Sequence, residues 1–248
     1  MKKTVIIVAA GKGLRMGSDL PKQFLPFQGK PVLMRTLEVF SRWDAEADLL
    51  TVIPEEYADY WKMLCRELNF SIAHRVVYGG ETRFLSVRNG LNAVESYGLI
   101  AIHDGVRPFV TPNVINTCFN VAALWGAAIP VIPMIDSVRE IIGAGEGLEG
   151  NASRPFDRTR LCIVQTPQVF NSDVLRKAYE QPYDERFTDD ATVVEASGHP
   201  IFLVEGNREN IKITTPEDLI QLRITNYELR VESRCFNPPS IMSSMKRR

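Results

Sequence analysis

Short, continuously apolar runs alternate along the chain with longer stretches in which apolar residues recur every three or four positions. Residues 4–10 (Thr-Val-Ile-Ile-Val-Ala-Ala) are unbroken and end at Gly11, the pattern of a central parallel strand covered on both faces. Further strands are predicted at 49–53, 75–78, 99–103, 127–132, 161–164 and 201–204. Between them the period turns helical. Tyr57, Trp61, Leu64 and Leu68 share one face, as do Phe84, Val87, Leu91 and Val94, and Val114, Cys118, Val121 and Trp125. Thr111-Pro112 reads as an N-cap with proline at the first helical position, and Thr215-Pro216-Glu217-Asp218 repeats the signal. Alternation of this kind means βαβ units: an α/β chain with a mostly parallel sheet and helices on both faces.

One segment breaks the rhythm. From 135 to 160, two short extended pieces flank Gly-Ala-Gly-Glu-Gly-Leu-Glu-Gly, which predicts a β-hairpin arm projecting from the sheet. Such an arm is inert decoration or a dimerisation device. The end of the chain, 229–248, carries Arg230, Arg234, Lys246, Arg247 and Arg248 against Glu232, with Pro238-Pro239. It reads as a disordered basic tail after a single domain spanning 1–228.

Composition narrows the class. A chain of 248 residues with 45% hydrophobic and 24% charged residues is an ordinary globular protein. The net charge of −1 supplies no bulk field toward nucleic acid or an anionic membrane, so any anion site must be local. Cys65, Cys118, Cys162 and Cys235 lie far apart, as reduced, mostly buried thiols of a cytosolic protein do, not as a zinc site or a disulfide framework. The apolar start, residues 4–10, is too short for a membrane span and runs into Gly-Lys-Gly with Arg15 behind it. A buried first strand accounts for it better than a signal peptide does.

The chemistry gathers at strand ends. The first strand empties into Ala9-Ala10-Gly11-Lys12-Gly13-Leu14-Arg15-Met16-Gly17, with Pro21-Lys22-Gln23 following. Glycines at that edge let backbone N–H groups approach a phosphate chain. The spacing is neither that of a dinucleotide fingerprint nor that of a P-loop. What remains is a glycine loop with two cations, Arg15 and Lys22, which phosphoryl or nucleotidyl transfer would use to neutralise charge; the bland alternative is a solvated loop. Asp104, in His103-Asp104-Gly105-Val106-Arg107-Pro108, stands where a parallel strand ends. A carboxylate there holds Mg²⁺ directly or through water, or else pairs with Arg107. His103 reads as a hydrogen-bonded structural residue. Gly79-Gly80-Glu81-Thr82-Arg83 leads into a helix carrying Ser86, a turn whose backbone and hydroxyl suit a base edge. Thr188-Asp189-Asp190 caps a helix start, and Asn210-Ile211-Lys212 brings out one lysine.

In this order the motifs resemble one family. Ala-Ala-Gly-x-Gly-x-Arg-Met (9–16), Pro-Lys-Gln-Phe-Leu (21–25), Gly-Gly-x-x-Arg-x-x-Ser-Val (79–87), His-Asp-Gly-Val-Arg-Pro (103–108), Gln-Thr-Pro-Gln-x-Phe (165–170), Thr-Asp-Asp-Ala (188–191) and Asn-Ile-Lys-Ile-Thr (210–214) are similar to those of the 2-C-methyl-D-erythritol 4-phosphate cytidylyltransferases. The resemblance covers about residues 3–225. It implies a Rossmann-like nucleotidyltransferase fold, a cytoplasmic homodimer joined through the arm, and CMP transfer from CTP to a sugar-alcohol phosphate in the non-mevalonate isoprenoid pathway, with Mg²⁺ or another divalent cation. By the same resemblance Arg15 and Lys22 stabilise the transition state, and Arg158, from the partner's arm, and Lys212 position the attacking phosphate. Asp104 and Arg107 line the acceptor and metal region, where Thr188 and Ser137 also fall. Ala9, Ala10, Gly11 and Gly13 meet the nucleotide's ribose and phosphates, and Gly80, Glu81 and Ser86 meet the cytosine. Ser137 and Glu81 stand where threonine and aspartate are commoner in the family, Gly105-Val106 stands where a pair of alanines is, and none of these changes removes a charge.

Two other readings compete. A sister enzyme acting on ribitol or ribulose 5-phosphate shares the glycine loop, Pro-Lys-Gln and Asn-Ile-Lys; Thr188-Asp189-Asp190-Ala191 with Val194-Glu195 favours methylerythritol phosphate. A non-catalytic nucleotide-binding module would not need Arg15, Lys22, Asp104 and Lys212 together. The glycine spacing disfavours a dehydrogenase.

Overall fold

The computed structural model describes residues 1–11, 20–143, 151–215 and 218. The chain opens with β1 (Lys2–Val8), a small pair β2 (Pro26–Phe27) and β3 (Lys30–Pro31), then α1 (Val32–Trp43) and β4 (Asp48–Ile53). It continues through α2 (Ala58–Glu67), β5 (Arg75–Tyr78), α3 (Arg83–Asn92), β6 (Gly98–Asp104), α4 (Pro112–Trp125) and β7 (Ala127–Pro133). The arm strands β8 (Val138–Ile142) and β9 (Ala152–Phe156) follow, then β10 (Cys162–Val164), β11 (Gln168–Asn171), α5 (Ser172–Tyr179), α6 (Asp190–Ala196) and β12 (Phe202–Glu205).

One sheet runs β10-β7-β11-β6-β1-β4-β5, with β12 also paired to β7. β1 pairs in parallel with both β4 and β6, β4 with β5, and β7 with β12. β11 runs antiparallel to β6 and β7, and β10 antiparallel to β7. The expected mostly parallel sheet is therefore present, with two reversed strands. β11 is the strand the sequence pattern missed: four residues with polar ends, Gln168 and Asn171, carry no run long enough to see.

The sheet separates two cores. Val5, Ile7 and Ala9 point into one with Leu37, Phe40, Trp61, Cys118 and Phe119, whereas Ile6 joins Phe84, Val87, Leu91, Leu175 and Val194 in the other. That alternation along β1 is the period-two signature of a strand buried on both faces. In α3 the predicted face is the buried one, since Phe84, Val87, Leu91 and Val94 are all inside. In α4 it is rotated. Val114, Ile115, Cys118, Phe119 and Ala122 are buried, while Trp125 is 59% exposed and stacks on Phe202 with centroids 5.3 Å apart. A helix this rich in apolar residues offers two stripes at helical spacing, and packing selects between them. Gly126 closes α4 in the left-handed region (φ 87°), which a side chain would strain.

β8 and β9 form their own two-stranded antiparallel sheet, from Val138 opposite Phe156 to Ile142 opposite Ala152. This is the predicted arm; its glycine-rich turn, 144–150, lies outside the described residues, as does the tail. Ile141, Ile142 and Phe156 are exposed on it. Among the described residues no helix is long and apolar enough to cross a membrane.

Candidate active site

β1, β4 and β6 all deliver their C-terminal ends to one edge of the sheet. Gln23, almost wholly buried, donates from Nε2 to the carbonyls of Ala9 (2.6 Å) and Gly11 (3.2 Å), which ties the exit of β1 to the turn Lys22–Phe24 and sets Lys22 beside it. Two glycine loops press on the same spot. A Cβ on Gly79 would stand 2.3 Å from the Cβ of Ala10, and one on Gly105 2.8 Å from the Cβ of Ala9, so a larger residue at either position would make its neighbour shift. Behind Gly80 the Ser86 hydroxyl accepts the Gly80 N–H (3.1 Å) and donates to the Thr82 carbonyl (2.9 Å). Thr82 in turn caps α3 by accepting from Leu85 N–H at 3.1 Å.

These pieces enclose a cleft of about 240 Å³ whose lining includes Ala9, Ala10, Gly11, Lys22, Gly80, Glu81 and Ser86, and which reaches Arg83, Asp104 and Lys212. A second, polar cleft starts from those last three residues and continues past Arg107, Gln165, Thr166, Gln168, Thr188 and Asp189. The two compartments thus meet at Asp104.

Asp104 is a buried carboxylate ringed by cations. Its Oδ2 accepts from Arg107 Nε and Lys212 Nζ, both at 3.1 Å, and its Oδ1 faces Arg83 Nε at 3.8 Å. Burial alone would raise its pKa, but Lys212, Arg83 and Arg107 together outweigh that and hold it well below the ordinary carboxylate range. Arg107 is fixed from behind by donating from Nη1 to the Asn210 carbonyl at 2.8 Å.

The floor under Asp104 is a relay of neutral hydrogen bonds. His103 is fully buried, and its Nε2 lies 3.0 Å from the Arg107 carbonyl, which accepts only, so that nitrogen carries the proton. Nδ1 then accepts from the Thr166 hydroxyl (3.1 Å), whose oxygen accepts the Asp104 backbone N–H (3.1 Å). Burial pushes the His103 pKa down to about 4 from its ordinary 6.5, against the Arg107 carbonyl, which favours the charged form. The native state therefore refuses a proton that the unfolded chain takes up between those two values. Stability falls as pH drops through that window, by about 3 kcal/mol once below it. Urea midpoints measured from pH 7 to 4 are expected to show this slope in the wild type and a shallower one in His103→Gln, where His74, also pushed down by burial, still contributes; parallel profiles would remove His103 from the acid response.

The expected site residues divide cleanly. Ala9, Ala10, Gly11, Lys22, Gly80, Glu81, Ser86, Asp104 and Lys212 line the first cleft, and Arg107 and Thr188 line the second. Gly13 and Arg15 lie outside the described residues. Ser137 and Arg158 are exposed at the base of the arm and line neither cleft; Arg158 donates to the Ile135 carbonyl. Arg83, Gln23, Thr166 and Gln168 belong to the site but were not singled out as functional from the sequence.

Comparison with known proteins points to one family. The model of the family described as "IspD: 2-C-methyl-D-erythritol 4-phosphate cytidylyltransferase" matches residues 3–225. A protein of that name from Bacteroides thetaiotaomicron is 56% identical over 219 residues, covering 88% of this chain and 97% of its own. Its namesake from Porphyromonas gingivalis is 51% identical over 220 residues, covering 88% and 95%. The crystal structure of 2-C-methyl-D-erythritol 4-phosphate cytidylyltransferase from Thermus thermophilus superposes with a TM-score of 0.72 at 31% identity, covering 92% of this chain and 100% of that one. The 4-diphosphocytidyl-2C-methyl-D-erythritol synthase from Anaerococcus prevotii gives 0.74 at 30% identity, with 92% and 96% covered.

Proposed function

This chain belongs to the 2-C-methyl-D-erythritol 4-phosphate cytidylyltransferase family, and from that premise we propose how its own residues carry the reaction. The enzyme transfers CMP from CTP to 2-C-methyl-D-erythritol 4-phosphate, giving 4-diphosphocytidyl-2-C-methyl-D-erythritol and pyrophosphate for the non-mevalonate isoprenoid route. A phosphate oxygen of the acceptor forms a bond to the α-phosphorus as the bond to the bridging oxygen breaks, and that oxygen leaves with the electron pair on pyrophosphate. The acceptor phosphate is already anionic near neutral pH. The protein need supply no nucleophile, only orientation and a place for the charge.

The observation that carries the assignment of roles is the meeting of two clefts at Asp104, with Lys212 and Arg83 shared between them. CTP occupies the first, its ribose on the backbone at Ala9, Ala10 and Gly11 and its base against Gly80, Glu81 and Ser86. Lys22, with Arg15, takes up the charge that builds on the α-phosphate. The acceptor occupies the second, its phosphate brought up by Lys212 and its body against Arg107 and Thr188.

Arg158 and Ser137 sit on an arm whose Ile141, Ile142 and Phe156 are exposed. An apolar arm carrying polar residues unused by its own clefts supports a homodimer in which each arm completes its partner's site. One buried carboxylate beside phosphate-binding cations suits Mg²⁺, which takes few protein ligands, and Asp104 would hold it. When bound, the ion neutralises phosphate charge. Consumption of a nucleoside triphosphate, with free thiols at Cys65, Cys118 and Cys162, fits the cytoplasm.

The test is pyrophosphate release from CTP with each acceptor in turn. Turnover with methylerythritol phosphate and little with ribitol or ribulose 5-phosphate is expected. Turnover confined to the pentose-derived phosphates would move the enzyme to the sister activity, and CTP binding without turnover would make it a binding module.

A further inference from the structure

Arg83 is the first residue of α3, immediately after the loop that frames the nucleotide cleft, yet its guanidinium is held from the other side of the site. Nη1 and Nη2 donate to the two oxygens of Asp190 at 2.9 and 2.7 Å, a bidentate fork across 107 positions of sequence. Asp190 is fully buried at the start of α6 and also accepts the Tyr179 hydroxyl at 2.6 Å. With both terminal nitrogens committed, the Nε edge of Arg83 is turned toward Asp104 at 3.8 Å. Arg83 lines both clefts.

Each of the two loops joined by this fork has hydrogen bonds of its own, among them the Asp189–Thr192 capping box on the acceptor side, and the fork ties one loop to the other. On the nucleotide side, the Gly79 N–H donates to the Ile53 carbonyl (2.9 Å), Ser86 holds Gly80, and Thr82 caps α3. On the acceptor side, Thr188 and Asp189 line the cleft directly before Asp190. There Gln168 donates from Nε2 to Asp189 Oδ2 (2.8 Å) and accepts Ala191 N–H (2.9 Å), with Asp190 between these two attachments. Gln168 and the Asp190–Arg83 fork therefore form one polar cluster that sets the wall of the second cleft.

We propose that Arg83 and Asp190 are positioning residues for the acceptor: their fork fixes the 188–190 loop against the nucleotide cleft and so sets the sugar phosphate relative to the α-phosphorus. This rests on the two-cleft assignment above. The experiment is steady-state kinetics of Arg83→Lys and Asp190→Asn in the full chain, varying CTP and methylerythritol phosphate separately, well below each variant's melting temperature. Lysine keeps the charge but not the fork, and asparagine keeps the shape but not the charge. Both are expected to raise the acceptor KM by about 10-fold or more and to lower kcat, with the CTP KM changed less than about 3-fold. Equal rises in both KM values, or activity lost only in proportion to unfolded protein, would overturn the proposal and leave the pair a structural strut. If Asp190→Asn does not fold, Tyr179→Phe, which removes one of the bonds to Asp190, gives the same split at smaller size or the proposal fails. Absence of turnover in the wild type would instead refute the assigned reaction.

Discussion

Lys22→Ala is expected to lower turnover by ~10²-fold or more while leaving CTP affinity within a few-fold, by comparison with removal of one preorganised donor to a developing oxyanion. The split follows from where Lys22 stands. Its neighbour Gln23 is bonded to two carbonyls at the mouth of β1, so the lysine is delivered on a rigid turn and does not need to be ordered at the moment of reaction. In the arrangement proposed above, the ground-state nucleotide has many other points of support, the backbone at Ala9–Gly11 and the Gly80–Ser86 loop, and one charge adds little to that sum. A pentacoordinate phosphorus carries more negative charge than the ground state and uses the fixed cation fully. Stopped-flow binding and pyrophosphate release measured on one preparation separate the two effects; a large loss of CTP affinity at unchanged kcat would make Lys22 a binding residue only. The same variant tests the arm. Mixed with Arg158→Ala, itself expected to be nearly inactive, Lys22→Ala should recover about a quarter of wild-type activity, because half the dimers are mixed and one of their two sites has both residues. Independent sites would recover nothing.

The core of this fold was readable because β1, β4 and β6 are buried on both faces and therefore spelled in largely apolar runs. Their ends were readable too: the glycine at 79 is favoured by the close approach of its loop to Ala10. What escaped depended on partners distant in the chain. Gln168 looks like an ordinary polar residue until α6 is folded against it, and it then becomes a buried bridge to Asp189 and Ala191. Arg83 was visible only as one basic residue in a glycine-led motif, since its meaning lies in Asp190. Trp125 was misplaced for a different reason: the period of α4 is satisfied by two faces, and only contact with the sheet tells them apart. Local physics specifies strands and caps, whereas buried polar pairs are set by topology.

Asp104→Asn is expected to cost about as much turnover as the loss of Lys22, ~10²-fold or more, but with a different accompaniment. The asparagine keeps the size of the side chain and removes the negative charge that Arg107 and Lys212 meet at 3.1 Å and Arg83 faces at 3.8 Å. Arg107 is buried and cannot turn to water, so breaking its pair should also lower stability by about 3 kcal/mol. Unpaired cations would draw the triphosphate in while the loss of a metal ligand would weaken its hold, so CTP affinity should stay within a few-fold while kcat falls, the mark of an interaction made mainly in the transition state. The ionised carboxylate also sets the pH response. Because its native pKa lies below the unfolded value of 3.8, its contribution to stability is present above that pH and lost only as acid drives below it. The wild type should therefore lose stability through the His103 window above about pH 4 and again beneath it, and Asp104→Asn should show a smaller lower loss, the remainder belonging to other carboxylates whose pKa values are held down by their partners, Glu38 and Asp44 among them. Wild-type kcat across a Mg²⁺ titration of Asp104→Asn would show that this carboxylate only organises its neighbours and takes no part in moving CMP.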